Sequence, residues 1–111
     1  MADISSVSDR ITKYYKARQY KWPDTWEAMG WAVTEIGEVY EILLARSGGW
    51  VRNNPDGKPL WDRKNFGDEL GDVIMMLIVA GLVEGVDPIN SMLEKIDRKL
   101  FSLSNGSGDN R

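Results

Sequence analysis

The sequence predicts an all-α domain of four helices, and three observations carry that prediction. Apolar residues recur at helical spacing in four stretches. Proline, glycine and asparagine punctuate the chain between those stretches. Nowhere do apolar and polar residues alternate strictly, as they would along a half-buried strand. With 111 residues, of which 42% are apolar, the chain has the size and composition of one folded domain. Residues 1–103 are read as that domain and 104–111, polar and rich in Ser, Gly and Asn, as a disordered tail.

The first helix, residues 7–20, repeats Val7, Ile11, Tyr14 and Tyr15 on one side and stops ahead of Trp22-Pro23, since the residue before proline avoids the helical region. Asp24 or Thr25 caps the second helix, 25–46, which ends at Gly48-Gly49. At about 100° per residue, Met29, Val33, Ile36, Val39, Tyr40 and Leu43 form one broad stripe, while Trp31, Glu38 and Ile42 lie beside Glu35 on the next. This helix is expected to bury two faces. Residues 47–60 then form a loop, long for a helical bundle. The third helix, 63–84, is apolar all round from Val73 to Val83, the pattern of a buried helix. Gly85 ends it, and Asp87-Pro88 starts the fourth, 88–103, with Ile89, Met92, Leu93, Ile96 and Leu100 as its stripe. A four-helix monomer of this length has too little surface to cover so apolar a third helix, so the bundle is expected to be completed by oligomerisation.

Two acid pairs, Glu35-Ile-Gly-Glu38 and Glu69-Leu-Gly-Asp72, interrupt this apolar sequence. Residues three apart share a helix face, so each pair aims two carboxylates one way. Glu69 and Asp72 continue the inward strip of Met76, Ala80 and Val83. Buried like charges need a positive partner. With no histidine and no cysteine, oxygen-only ligation points to magnesium, manganese or calcium rather than zinc. Each pair also has a glycine before its last acid, Gly37 and Gly71. Because glycine costs a helix about 1 kcal/mol relative to alanine, the two predict a close backbone approach between the helices.

This pattern of Glu-x-x-Glu followed by Glu-x-x-Asp on consecutive helices resembles the MazG-like all-α nucleoside triphosphate pyrophosphohydrolases. Thr34-Glu-Ile-Gly-Glu-Val-Tyr-Glu41 resembles the first motif of that family and Asp68-Glu-Leu-Gly-Asp-Val-Ile-Met-Met-Leu77 the second. Gly85-Val-Asp87, followed by a helix bearing Lys95, resembles its end. The resemblance implies Mg2+ (or Mn2+) held by Glu35, Glu38, Glu69 and Asp72, and cleavage of nucleoside triphosphates to the monophosphate and pyrophosphate, with nucleotide-pool house-cleaning as the role. Glu38 or Glu35 would take the proton of the attacking water. It also implies a homodimer, or a tetramer made of two dimers. The chain departs from the family in carrying Thr34 where many members have a second glutamate. It has 30 residues between Glu38 and Glu69, a little more than usual, and Lys99 stands where asparagine is often found.

A nucleobase site needs flat walls for stacking. Among five tryptophans, Trp22, Trp26 and Trp31 lie before or within the helix of the first acid pair and are the expected walls. Trp50 and Trp61 flank the loop as second choices. Lys95 and Arg98 are the expected phosphate contacts, ahead of Arg63, Lys64, Tyr15 and Arg18, and Glu41 turns toward the polar face. A net charge of −3 with no basic face predicts no nucleic-acid partner. No Walker-type phosphate loop, no dinucleotide-binding glycine pattern and no His- or Cys-based nucleophile is present. No apolar run reaches the roughly 20 residues that span a bilayer, and no signal-peptide pattern is visible, so a cytoplasmic location is expected. Two rival readings stand beside this one: the related phosphoribosyl-ATP pyrophosphatase, and a non-catalytic helical interaction module.

Overall fold

The computed structural model describes residues 4–46 and 61–105. Among them every regular element is helical: α1 (Ile4–Ala17), α2 (Thr25–Arg46), α3 (Arg63–Val83) and α4 (Pro88–Ser104). The expected 47–60 loop, Trp50 and the last residues of the tail lie outside the described residues.

Local sequence sets each helix end. Asp24 and Glu27 form a reciprocal cap on α2: Glu27 N–H donates to Asp24 Oδ1 at 2.8 Å, and Asp24 N–H to Glu27 Oε1 at 3.2 Å. Asp62 accepts from Lys64 N–H to start α3, and Asp87 accepts from Asn90 N–H to start α4 with Pro88 in its first turn. α4 runs through Ser104, one residue into the expected tail, and Asn105 caps it.

α1 differs most from expectation. It begins at Ile4 and ends at Ala17 rather than at residue 20. Gln19 takes a left-handed φ of 56°, Gln19 N–H donates to Lys16 O, and Tyr20 N–H to Tyr15 O. This is a Schellman end with glutamine where glycine is usual. Gly85 (φ 72°) closes α3 in the same way, with Val86 N–H on Gly81 O.

The core gathers Ile11 and Tyr15 of α1, Ala28 and Ala32 of α2, and Met76, Ile78, Val79 and Ala80 of α3. Arg46, at the end of α2, lies over the ring of Trp61 just ahead of α3 at 4.4 Å, so α2 and α3 run antiparallel. Small buried alanines on α2 accompany their contact. Gly37 and Gly71 do not: a Cβ built on either meets nothing within 4 Å, which corrects the expected close approach. Gly81 is the crowded position, since a Cβ there would lie 2.6 Å from Pro88 Cδ and 2.7 Å from Val86 O. Gly81→Ala is therefore expected to cost about 1–3 kcal/mol through overpacking, while Gly71→Ala should gain up to about 1 kcal/mol from helix propensity. Thermal melts of the two variants check both signs.

Among the described residues, one face of α2 is buried and the other exposed. Ala28, Ala32, Val39 and Ile42 are buried, whereas Met29, Val33, Ile36, Tyr40 and Leu43 are exposed. Leu70, Ile74 and Leu77 of α3 are exposed as well, and α4 has no buried residue. The expected all-round burial of the third helix is thus partial in the single chain.

Candidate metal centre and adjoining cavity

Antiparallel packing of α2 on α3 brings the two acid pairs together. Glu35, Glu69 and Asp72 each present a carboxylate oxygen within 4.8 Å of the others, and Glu38 lies near enough to act on both Glu35 and Glu69. Burial, first, and then the carboxylates of Glu38, Asp72 and Glu69 push Glu35 from the ordinary value near 4.5 up to about 7. Glu69 is raised too, mainly by burial. Its Oε2 is sealed from solvent without a hydrogen-bond partner. A buried carboxylate oxygen in that state is costly, and a divalent cation would satisfy it. Three hard oxygen donors, with no nitrogen or sulfur among them, are the kind of ligand that Mg2+ or Mn2+ takes, and Glu38 is not among the three.

Beside the acids lies a cavity of about 490 Å³, bounded by Tyr14, Tyr15, Tyr20, Lys21, Trp31, Glu35, Asp72, Met75 and Met76. Its wall follows from the end of α1. The Schellman turn folds Tyr20 back so that its ring meets Tyr15 edge-on at 5.5 Å and Tyr14 at 5.8 Å. Arg18 Nε–H donates to the Tyr20 hydroxyl at 3.2 Å. Tyr15 is buried, and its hydroxyl donates to Met76 Sδ at 3.9 Å.

Of the expected aromatic walls, Trp31 borders this cavity. Trp22 does not: it stacks on Tyr15 with ring centroids 4.7 Å apart and borders a separate cleft with Thr12, Pro23, Leu82 and Val83. Trp26 is 89% exposed and borders neither. Trp61 packs against Phe66. Lys95 and Arg98 are exposed on α4, which packs chiefly on α3, and neither borders the cavity. Lys64 pairs with Asp68 at 2.8 Å, and Thr34 donates its hydroxyl to Gly30 O. Tyr14, Tyr20, Lys21, Met75 and Met76 were absent from the expected site. The Tyr14-Tyr15 doublet was a visible signal, but the left-handed turn at Gln19 that returns Tyr20 to it was not.

These positions predict opposite outcomes for two tryptophans. Base–aromatic stacking is worth about 1–3 kcal/mol, so Trp31→Ala should weaken binding of an aromatic ligand in this cavity roughly tenfold, with Trp31→Phe restoring most of it. Trp22→Ala, which removes a ring stacked on the core, should lower Tm and leave that binding unchanged. Calorimetric titration beside thermal melts separates the two.

Compared with protein-family models, curated proteins and solved structures, the chain matches none. Among the described residues, no helix is long and apolar enough to cross a membrane.

Proposed function

We propose that this protein is a metal-dependent nucleoside triphosphate pyrophosphohydrolase of the MazG-like kind, converting a nucleoside triphosphate and water to the monophosphate and pyrophosphate. One observation carries the reading. Carboxylate oxygens of Glu35, Glu69 and Asp72 lie within 4.8 Å of one another, Glu69 Oε2 is buried without a hydrogen-bond partner, and Glu35 and Asp72 border a cavity walled by aromatic rings.

Glu35, Glu38, Glu69 and Asp72 would hold Mg2+, which when bound supplies charge neutralisation of the phosphates and acidifies a coordinated water. The protein's own share is positional and electrostatic. Glu69, the most enclosed of the acids, fixes its oxygen where a cation is needed. Glu38 or Glu35 would accept the proton of the attacking water. Trp31 and the tyrosines hold the base while the triphosphate reaches the acids. Attack at the α-phosphorus, rather than at another phosphorus, rests on the resemblance of the two acid motifs. Incubation with a panel of triphosphates and with phosphoribosyl-ATP tests the reading. Pyrophosphate release from the former supports it; release from the latter alone makes the protein a phosphoribosyl-ATP pyrophosphatase. No magnesium-dependent thermal shift and no release from any of them would favour a non-catalytic module.

The same proposal includes a homodimer or a dimer of dimers. The exposed apolar residues on α2, α3 and α4 support this reading. Sedimentation equilibrium of the intact chain is expected to give at least twice 12.6 kDa. A monomer at micromolar concentration would remove this part.

A further inference from the structure

The cavity beside the acids owes one wall to a turn that does not itself border it. Tyr20 borders the cavity, whereas Arg18 and Gln19 do not. Tyr20 is 44% exposed, so burial alone does not hold its ring in place. Gln19 sits at φ 56°, in the left-handed region that glycine enters freely and other residues enter at a cost. The turn lets Tyr20 N–H donate to Tyr15 O at 2.9 Å. It also sets the Tyr20 ring edge-on to Tyr15 and Tyr14, with centroids 5.5 and 5.8 Å away. Arg18 ties the ring from the other side: its Nε–H donates to the Tyr20 hydroxyl at 3.2 Å, and its Cζ lies 5.4 Å from the ring centroid. Tyr15, by contrast, is buried and stacked on Trp22, and its own packing holds it.

We propose that Gln19 and Arg18 are positioning residues for ligand binding: they hold Tyr20 as a stacking wall of the cavity, so that the turn ending α1 completes a site whose acids come from α2 and α3. The inference rests on the nucleotide reading above and deepens it. A base stacked on Tyr20 gains from a ring already fixed in place, because ordering a loose side chain during binding subtracts from affinity.

The test titrates the full chain calorimetrically, with Mg2+, against the α,β-methylene analogues of ATP, GTP, CTP and UTP, which cannot be cut between those two phosphorus atoms. Thermal melts and ring-proton NOEs accompany it. Gln19→Val carries a branched side chain that resists a left-handed φ, and it should lose the NOEs from Tyr20 to Tyr14 and Tyr15. Its Kd for the best-bound analogue should rise about fivefold or more, as the loss of one base–aromatic stack implies. Gln19→Gly, with the residue usual at this position, should keep the NOEs, melt higher than wild type and bind at least as tightly. Arg18→Met should weaken binding about threefold, the worth of one hydrogen bond, with little change in Tm because Arg18 is exposed. In a Tyr20→Ala background neither Gln19→Val nor Arg18→Met should weaken binding further, since both act through that ring. Weaker binding by Gln19→Gly, retained NOEs or unchanged binding in Gln19→Val, or an undiminished effect of either variant beside Tyr20→Ala would overturn the proposal. If the analogues bind in the expected pattern yet no triphosphate is hydrolysed, the positioning role stands and the pyrophosphohydrolase reading falls. Hydrolysis without that pattern removes the positioning role alone, and a wild-type protein that binds none of the analogues removes both.

Discussion

Glu69→Gln is expected to abolish magnesium-dependent hydrolysis and, in the same protein, to raise the melting temperature measured without metal. Glu69 Oε2 is buried with no partner, and its carboxyl is held above the ordinary range by burial and by Glu38 and Asp72. Glutamine keeps the shape, removes a like charge, and can donate its amide protons to the neighbouring carboxylates. Loss of a cation ligand at the reacting phosphates removes several kcal/mol of transition-state stabilisation, a rate loss on the order of a thousandfold. Asp72→Asn and Glu38→Gln should lose activity likewise while remaining helical by circular dichroism. Full activity in these variants would remove the metal assignment. Unfolding of all three would mean that the acids hold the fold together.

The metal-free protein should also become less stable as pH rises from about 4.5 to 7. Glu35 titrates near 4.5 when unfolded and at about 7 when folded. Between those values the folded state holds a proton that the unfolded state has released, so each step up in pH favours unfolding. The accumulated loss is at most about 3 kcal/mol before solvent screening and is complete about one pH unit above the folded value, with Glu69 acting in the same direction. Saturating Mg2+ should cancel it, because a cation replaces the proton. At a concentration one hundred times its Kd the stabilisation is about 2.7 kcal/mol. Urea melts at pH 5 and pH 8, with and without MgCl2, measure this: the magnesium effect should be small at pH 5 and large at pH 8. A pH-independent magnesium effect would place the cation away from Glu35.

Much of this was legible in the residues. Four helices could be read because their apolar spacing and their Asp-Pro, Gly and Trp-Pro punctuation agree, and the acid pairs because a three-residue spacing fixes one face whatever the tertiary structure. What could not be read depends on contacts between elements. Gly37 and Gly71 looked like points of close approach, yet both face open space, while Ala28 and Ala32 lie in the α2–α3 core. The broad stripe of Met29, Val33, Ile36 and Tyr40 is periodic in the way a buried face is, and periodicity does not say whether the cover comes from the same chain. Tryptophan, the largest flat ring, drew attention away from tyrosine. Gln19 in a conformation usually left to glycine gave no warning that Tyr20 would fold back onto Tyr14 and Tyr15.

The most direct test of the central claim is 31P NMR of the intact protein with MgCl2 and nucleoside triphosphates in 18O-enriched water. Monophosphate and pyrophosphate should form in equal amounts, with 18O in the monophosphate alone, because water attacks the α-phosphorus. Both should stop forming when EDTA is added. Orthophosphate with diphosphate, 18O in the pyrophosphate, or no turnover of any triphosphate at full magnesium occupancy would contradict the account.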